Sequence, residues 1–221
     1  MKSKKLIQAS LFALAGVVAL TSFTASAGPR VKRKMRSAFG SMLVHLGPGG
    51  IKFALNVKRM SEGNFNIKFF EPGALVLALE CFDAVSKGSI ESCWTSPGYH
   101  AGKIPAVQFF STVTFGLQLG EFLAWKFHEG GNALRDELYA EHDLKAFDSL
   151  CIGPETSGWF KKPVNSLEEL KGLKMRFFGL GASVMQKMGV STQLLAGADI
   201  YPALERGVID ATEFSMPTID I

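Results

Sequence analysis

The sequence is short of most of the residues that build catalytic or metal chemistry. It holds only three cysteines, Cys81, Cys93 and Cys151, and no two of them form a C-x-x-C pair. Its four histidines, His45, His100, His128 and His142, stand far apart and lack metal-ligand spacing. No serine sits in a G-x-S-x-G elbow and no phosphate-binding G-x-x-x-x-G-K-[ST] loop occurs. The stretch Gly179-Leu-Gly181-Ala-Ser-Val184 passes from strand to helix as a dinucleotide loop would. It lacks the third glycine, and the next strand lacks the acidic residue that would hold a ribose. Beyond residue 27 no apolar run approaches the roughly 20 residues needed to span a bilayer. These absences weaken the enzyme class as a whole.

Charge of one sign is also scarce once the first segment is set aside. Lys2, Lys4 and Lys5 precede an apolar run from Leu11 to Leu20, and Ala25-Ser26-Ala27 follows in the small-x-small pattern of a signal-peptidase site. This layout predicts a secretory signal peptide over residues 1–27, with cleavage after Ala27 and export to the periplasm. Removing it takes away three lysines and no acid, leaving 21 basic against 20 acidic side chains. A nucleic-acid binder would keep a basic stripe. The remaining cluster, Arg30 to Lys34 with Arg36, reads as a solvated lead-in to the first strand. In an oxidising compartment three cysteines leave at least one unpaired. All three read as buried thiols, with a Cys81–Cys93 bridge as the alternative.

What is present is an alternation of helix and strand. Helices are predicted over Gly50–Met60, Leu75–Val85, Gly120–His128, Asn132–Tyr139, Ala182–Met188 and Ala198–Glu205, most closed by a glycine, with a short one from Ser166 to Gly172. Strands are predicted over Asn64–Phe70, Ile90–Trp94, Lys145–Ile152, Gly158–Lys161, Leu173–Phe178, Val190–Leu194 and Val208–Ser215. Such order implies an α/β protein with largely parallel sheets and a ligand at the carboxyl ends of the strands. Gly153-Pro154 interrupts a strand-like run and marks a boundary near Leu150–Pro154. There is no long low-complexity linker and no repeat of fixed period.

Two segments carry a functional signal. In Leu170-Lys-Gly-Leu-Lys-Met-Arg176-Phe-Phe-Gly179, an arginine lies in an apolar strand, where its guanidinium needs an anion. That anion is either a bound carboxylate, whose planar oxygens match the fork of donors, or an internal Asp or Glu. In Ala198–Phe214, a helix ends at Gly207 and leads into a strand bearing Asp210 and Glu213. Three residues apart on a strand, these two project to opposite faces, which argues against a paired acid and base. One can face a site while the other is structural.

Read together, these segments resemble the DctP-type solute receptors of tripartite ATP-independent periplasmic (TRAP) transporters. Glu80–Gly88, Gly102-Lys103-Ile-Pro105-Ala106 and Gly158-Trp159-Phe160 fall in the family's order, so the resemblance covers essentially all of the chain after residue 27. It is nearest to the branch that takes 2-oxo acids and related monocarboxylates with a cation. The resemblance implies a type II periplasmic-binding-protein-like α/β fold with two lobes around a cleft. Residues 28–150 would form the first lobe, 151–213 an incomplete second lobe, and 214–221 the start of a crossing back, cut short where family members continue. A 221-residue product would then expose core surface and be prone to aggregate.

By the same resemblance, Arg176 would clamp the substrate carboxylate. Glu155, Glu213 and the backbone of Phe214 would hold a sodium or calcium ion bridging to it, while Glu155, Phe214 and Tyr99 would line the substrate pocket. Glu155 stands where the family usually has Gln, and Phe214 where it usually has Trp. The implied role is capture without turnover, delivering a pyruvate- or lactate-like solute to a small and a large integral membrane subunit, with homodimer formation possible in the complete protein. The rivals are a secreted enzyme of the same fold and an exported sensory module.

Overall fold

The computed structural model describes residues 30–153, 155 and 158–215, so the expected signal peptide lies outside the described residues. Among the described residues seven strands form two sheets, drawn from separate stretches of chain. The first holds β1 (Val31–Ser37), β2 (Phe65–Phe70) and β3 (Ser92–Trp94) in the order β2-β1-β3, all parallel. The second holds β4 (Trp159–Phe160), β5 (Lys174–Arg176), β6 (Ser191–Gln193) and β7 (Ala211–Thr212) in the order β4-β7-β5-β6. There β5, β6 and β7 are parallel and β4 is an antiparallel edge.

Helix α1 (Leu46–Met60) crosses from β1 to β2, and α2 (Cys81–Ser86) precedes β3. Helices α3 (Leu119–His128) and α4 (Gly131–Ala140) form a hairpin, while α5 (Gly179–Lys187) and α6 (Gly197–Glu205) join β5, β6 and β7. Short 3-10 turns cover Ala78–Glu80, Pro97–His100, Pro105–Phe110 and Glu168–Leu170.

The two sheets share a winding. In each, the first strand of a β-α-β-α-β unit lies between the second and the third. Lys34-Met35-Arg36 and Lys174-Met175-Arg176 occupy the corresponding central strands. Alternation along a strand sends Met and Arg to opposite faces. Met35 and Met175 each anchor a core cluster, with Phe39, Leu46, Ala54, Trp94 and Tyr99 around the first and Leu170, Val190 and Ala211 around the second. Burying each methionine side chain contributes about 1.5–3 kcal/mol. Both arginines are buried on the other face, but among the described residues the Arg36 side chain donates only to Ala78 O (3.0 Å), and its Nε and Nη2 have no partner there.

Helix α1 starts earlier than its periodicity suggests, at Leu46 rather than Gly50. Its glycines are used for close approach: a side chain at Gly50 would meet the Phe69 ring at 2.9 Å and the Trp94 indole at 3.1 Å. Pro48 falls in the first turn, where the missing N–H costs nothing. Trp94 then fastens the helix start to the sheet, its Nε1 donating to Leu46 O at 2.8 Å.

Several expectations are corrected. The basic run 30–36 is no lead-in; it becomes β1, the central strand, with Lys32–Lys34 exposed and Arg36 buried. The helix expected over Leu75–Val85 is split, because Leu77 is extended (ψ 151°) and only Cys81–Ser86 is α-helical. Residues 145–152 form no strand. Asp148 instead accepts from Lys126 of α3 and from Arg135 of α4 (2.6 Å), which ties this segment to the hairpin as irregular chain. The expected strand 208–215 is regular only at Ala211–Thr212, with single backbone bonds to β5 from Asp210 N and Glu213 N on either side. Finally, Cys81 and Cys93 form a disulfide across Cα atoms 6.0 Å apart, joining α2 to β3, and Cys151 is exposed; the reading of three buried thiols was wrong. Spacing in sequence does not reveal which cysteines a fold brings within bonding distance.

Candidate functional site

Arg176 ends β5, and the neighbouring parallel strand β7 delivers Glu213 to it. The strand ladder runs one step past β7: Glu213 N donates to Arg176 O at 3.0 Å. The guanidinium returns the contact, with Nη1 donating to Glu213 Oε2 at 2.9 Å and also to Glu213 O, while Nε donates to Leu195 O at 3.1 Å. Arg176 is 1% and Glu213 4% exposed. Of the two anions the sequence allows Arg176, the structure shows the internal one. The arginine has an internal carboxylate partner, and that partner is the acidic residue singled out beside it. Asp210 has the structural role: its backbone donates to Lys174 O at 2.7 Å and its carboxylate accepts from Lys174 N, which aligns the starts of β5 and β7.

Two aromatic rings flank the guanidinium. The Phe214 centroid lies 5.3 Å and the Phe178 centroid 5.7 Å from Arg176 Cζ, distances at which a cation and a ring face attract. Tyr99, carried by the 3-10 turn Pro97–His100, meets Phe178 edge-on at 5.1 Å and packs on Phe39 at 5.8 Å. Burial pushes the Tyr99 phenol well up from its ordinary pKa. The Arg176 guanidinium pulls it down, and the Glu213 and Glu155 carboxylates push it up.

Tyr99, Glu155, Arg176, Glu213 and Phe214, chosen from separate parts of the sequence, therefore share one electrostatic neighbourhood. Gly158, just before β4, is held close to the sheet. Gly158 adopts φ 143°, and a side chain there would stand 2.5 Å from Met175 Cε and 2.8 Å from Thr212 O. Among the described residues no three His, Cys, Asp or Glu side chains come together as a metal cluster.

Sequence reasoning missed Phe178. It lies two residues beyond Arg176 on extended backbone (φ −113°, ψ 141°), so it projects to the same side of the chain. That period-of-two relation was available in the sequence. Leu195 was not accessible in the same way, because its contribution is a carbonyl oxygen placed by the turn after β6.

Comparisons with known proteins bear on the family and the fold. Residues 47–220 match the family described as bacterial extracellular solute-binding protein, family 7 (DctP). The chain is 40% identical over 200 residues to a monocarboxylate 2-oxoacid-binding periplasmic protein of Nostoc sp., a match covering 90% of this chain and 55% of that protein. Its fold superposes with a TM-score of 0.83 on a TRAP periplasmic solute-binding protein of Pseudoalteromonas atlantica solved with bound sodium and pyruvate. The two are 34% identical, and the match covers 86% of this chain and 58% of that one. A TRAP periplasmic solute-binding protein of Colwellia psychrerythraea, solved with bound calcium and pyruvate, gives a TM-score of 0.81 at 34% identity with the same two coverages. The chain spans a little over half the length of these relatives.

Proposed function

This chain belongs to the DctP family of bacterial extracellular solute-binding proteins, and from that premise we propose that it is the capture subunit of a TRAP transporter for a small 2-oxo monocarboxylate such as pyruvate. The observation that carries the reading is the buried Arg176–Glu213 pair at the ends of adjacent parallel strands, with the Phe178 and Phe214 rings against the guanidinium. A buried guanidinium needs an anion at all times. Glu213 fills that need when the site is empty, and a substrate carboxylate offers the same two oxygens to the same fork. The pair therefore holds the donor ready without leaving a charge unpaired.

The residues present also fit a cation. Glu213 and Glu155 supply carboxylate oxygens and Phe214 a backbone carbonyl, an all-oxygen set suited to a hard ion such as sodium or calcium. Two side chains and a carbonyl are few ligands, which suits a site that the substrate's own oxygens complete. Such an ion would neutralise Glu213 and leave Arg176 available to the incoming anion. Glu155 adds a negative charge that favours the divalent choice. Tyr99, Phe178 and Phe214 give the pocket apolar walls, and these exclude water and strengthen the charged contacts.

Residues 28–150 would supply the first lobe and 151–213 the second, with closure driven by the ligand's preference for the closed arrangement. The family is a solute-binding one, and this site's chemistry is capture without turnover. Export by residues 1–27, delivery to small and large membrane subunits, and pairing of the complete protein as a homodimer belong to the same proposal.

A thermal-shift titration tests it. Pyruvate at a thousand times its dissociation constant stabilises the native state by about 4 kcal/mol. The shift should grow with calcium or sodium and vanish in Arg176→Ala. A folded protein that no 2-oxo acid shifts, with or without either cation, would sink the reading.

A further inference from the structure

Phe178 does more than flank the arginine. Its ring lies on the backbone of Gly98, where a single added methyl would stand 2.3 Å from the ring's Cζ and 2.5 Å from a Cε. Gly98 has no left-handed φ, so what the position requires is room for the ring. The same ring stands edge-on to Tyr99 at 5.1 Å and 5.7 Å from the Arg176 guanidinium. Phe178 thus comes from the second sheet's stretch of chain and packs against the core cluster of the first, as Leu194 and Phe214 also do. One side chain fills the space between the carboxylate grip and the turn that carries Tyr99.

We propose that Phe178 is the specificity-determining residue of the site, a wedge that holds the Arg176 guanidinium in place and limits the ligand to short, flat 2-oxo acids. This rests on the capture reading above. The physical argument is one of volume and orientation. The Phe214 and Phe178 ring centroids lie 5.3 and 5.7 Å from the guanidinium, so both rings border the space through which a carboxylate would reach the fork. The wall beyond Phe178 is Gly98, which has no side chain to replace the ring if it is removed. Truncation therefore opens space directly beside Arg176. It also loosens the guanidinium, because one of its two flanking faces is lost.

The test measures dissociation constants of the protein for pyruvate and for 4-methyl-2-oxopentanoate by calorimetry, in wild type, Phe178→Ala and Phe178→Tyr. The wild type should prefer pyruvate. In Phe178→Ala, pyruvate binding should weaken about tenfold while the branched acid holds or tightens, so the preference falls by at least tenfold. Phe178→Tyr, which keeps the ring, should restore it. Gly98→Ala should weaken both acids together, since it displaces the ring without vacating its space.

Equal losses for the two acids in Phe178→Ala would mean a merely structural side chain and would overturn the inference. So would an unchanged preference in a folded variant. If the wild type binds pyruvate, either of these results leaves the capture reading standing. A wild type that binds neither acid would overturn both.

Discussion

Removing the charge of Glu213 while keeping its shape isolates what the internal carboxylate does. In Glu213→Gln the guanidinium of Arg176 keeps its bonds to Leu195 O and Glu213 O and loses the anion 2.9 Å from Nη1. Breaking a buried pair by neutralising one member costs about 3–5 kcal/mol, because the other charge stays buried and uncompensated. The expected loss is at the lower end, about 3 kcal/mol, since glutamine still offers an acceptor and Glu155 is in the same neighbourhood. For a chain of this size each kcal/mol moves the unfolding midpoint by about 2–4 °C. The variant should therefore unfold some 6–12 °C below wild type at pH 7.

Adding pyruvate in cation-free buffer supplies the missing carboxylate, so the gap between variant and wild type should narrow as pyruvate rises. Calcium, which in wild type should strengthen pyruvate binding, should have little effect once Glu213 is neutral. Differential scanning fluorimetry across a pyruvate series, with and without calcium, reads all of these. A variant that melts within a degree of wild type would refute the argument. It would mean that Arg176 is not held as a buried cation dependent on this carboxylate.

Two further outcomes follow from residues away from the site. The Cys81–Cys93 bridge closes a loop with a sequence separation of 12. In the chain-entropy description such a loop is worth about 3 kcal/mol, so Cys93→Ser should lower the denaturant midpoint to that of reduced wild type and should not respond to reductant. His100 is buried against Phe82, and its pKa is lowered to about 4, mainly by burial and then by Lys103, with Asp83 opposing. The folded state thus keeps His100 neutral while the unfolded chain takes up a proton below about pH 6.5. Stability from this group is unaffected above that pH. It is lost progressively as pH falls from about 6.5 to 4, reaching about 3 kcal/mol. His100→Asn should flatten that part of a stability-versus-pH curve, and an unchanged slope would refute the assignment.

Periodicity and glycine stops determined much of this protein, because they act over a few neighbouring residues. Helices α3 to α6 and strands β2 and β3 lie within a few residues of where the sequence puts them. The conflict between Arg176 and its apolar strand was legible too, since a guanidinium needs an anion in any context. Its identification with Glu213 was not, because 37 residues of chain separate them and only the parallel pairing of β5 with β7 brings them together.

The same kind of distance explains the errors. Arg30–Lys34 with Arg36 reads in sequence as a solvated lead-in to the first strand, yet the run is itself β1, in the middle of its sheet, because Met35 and Arg36 are buried by neighbours on both sides. Residues 145–152 carry enough apolar side chains to read as a strand, but a strand needs a ladder partner, and Asp148 bonds to two helices instead. The Cys81–Cys93 bridge, the ring of Phe178 on Gly98 and the carbonyl of Leu195 on Arg176 all depend on contacts between distant segments. Local preference fixes what a segment can become. Which partner it meets is decided only when burial and hydrogen bonding are satisfied across the whole fold at once.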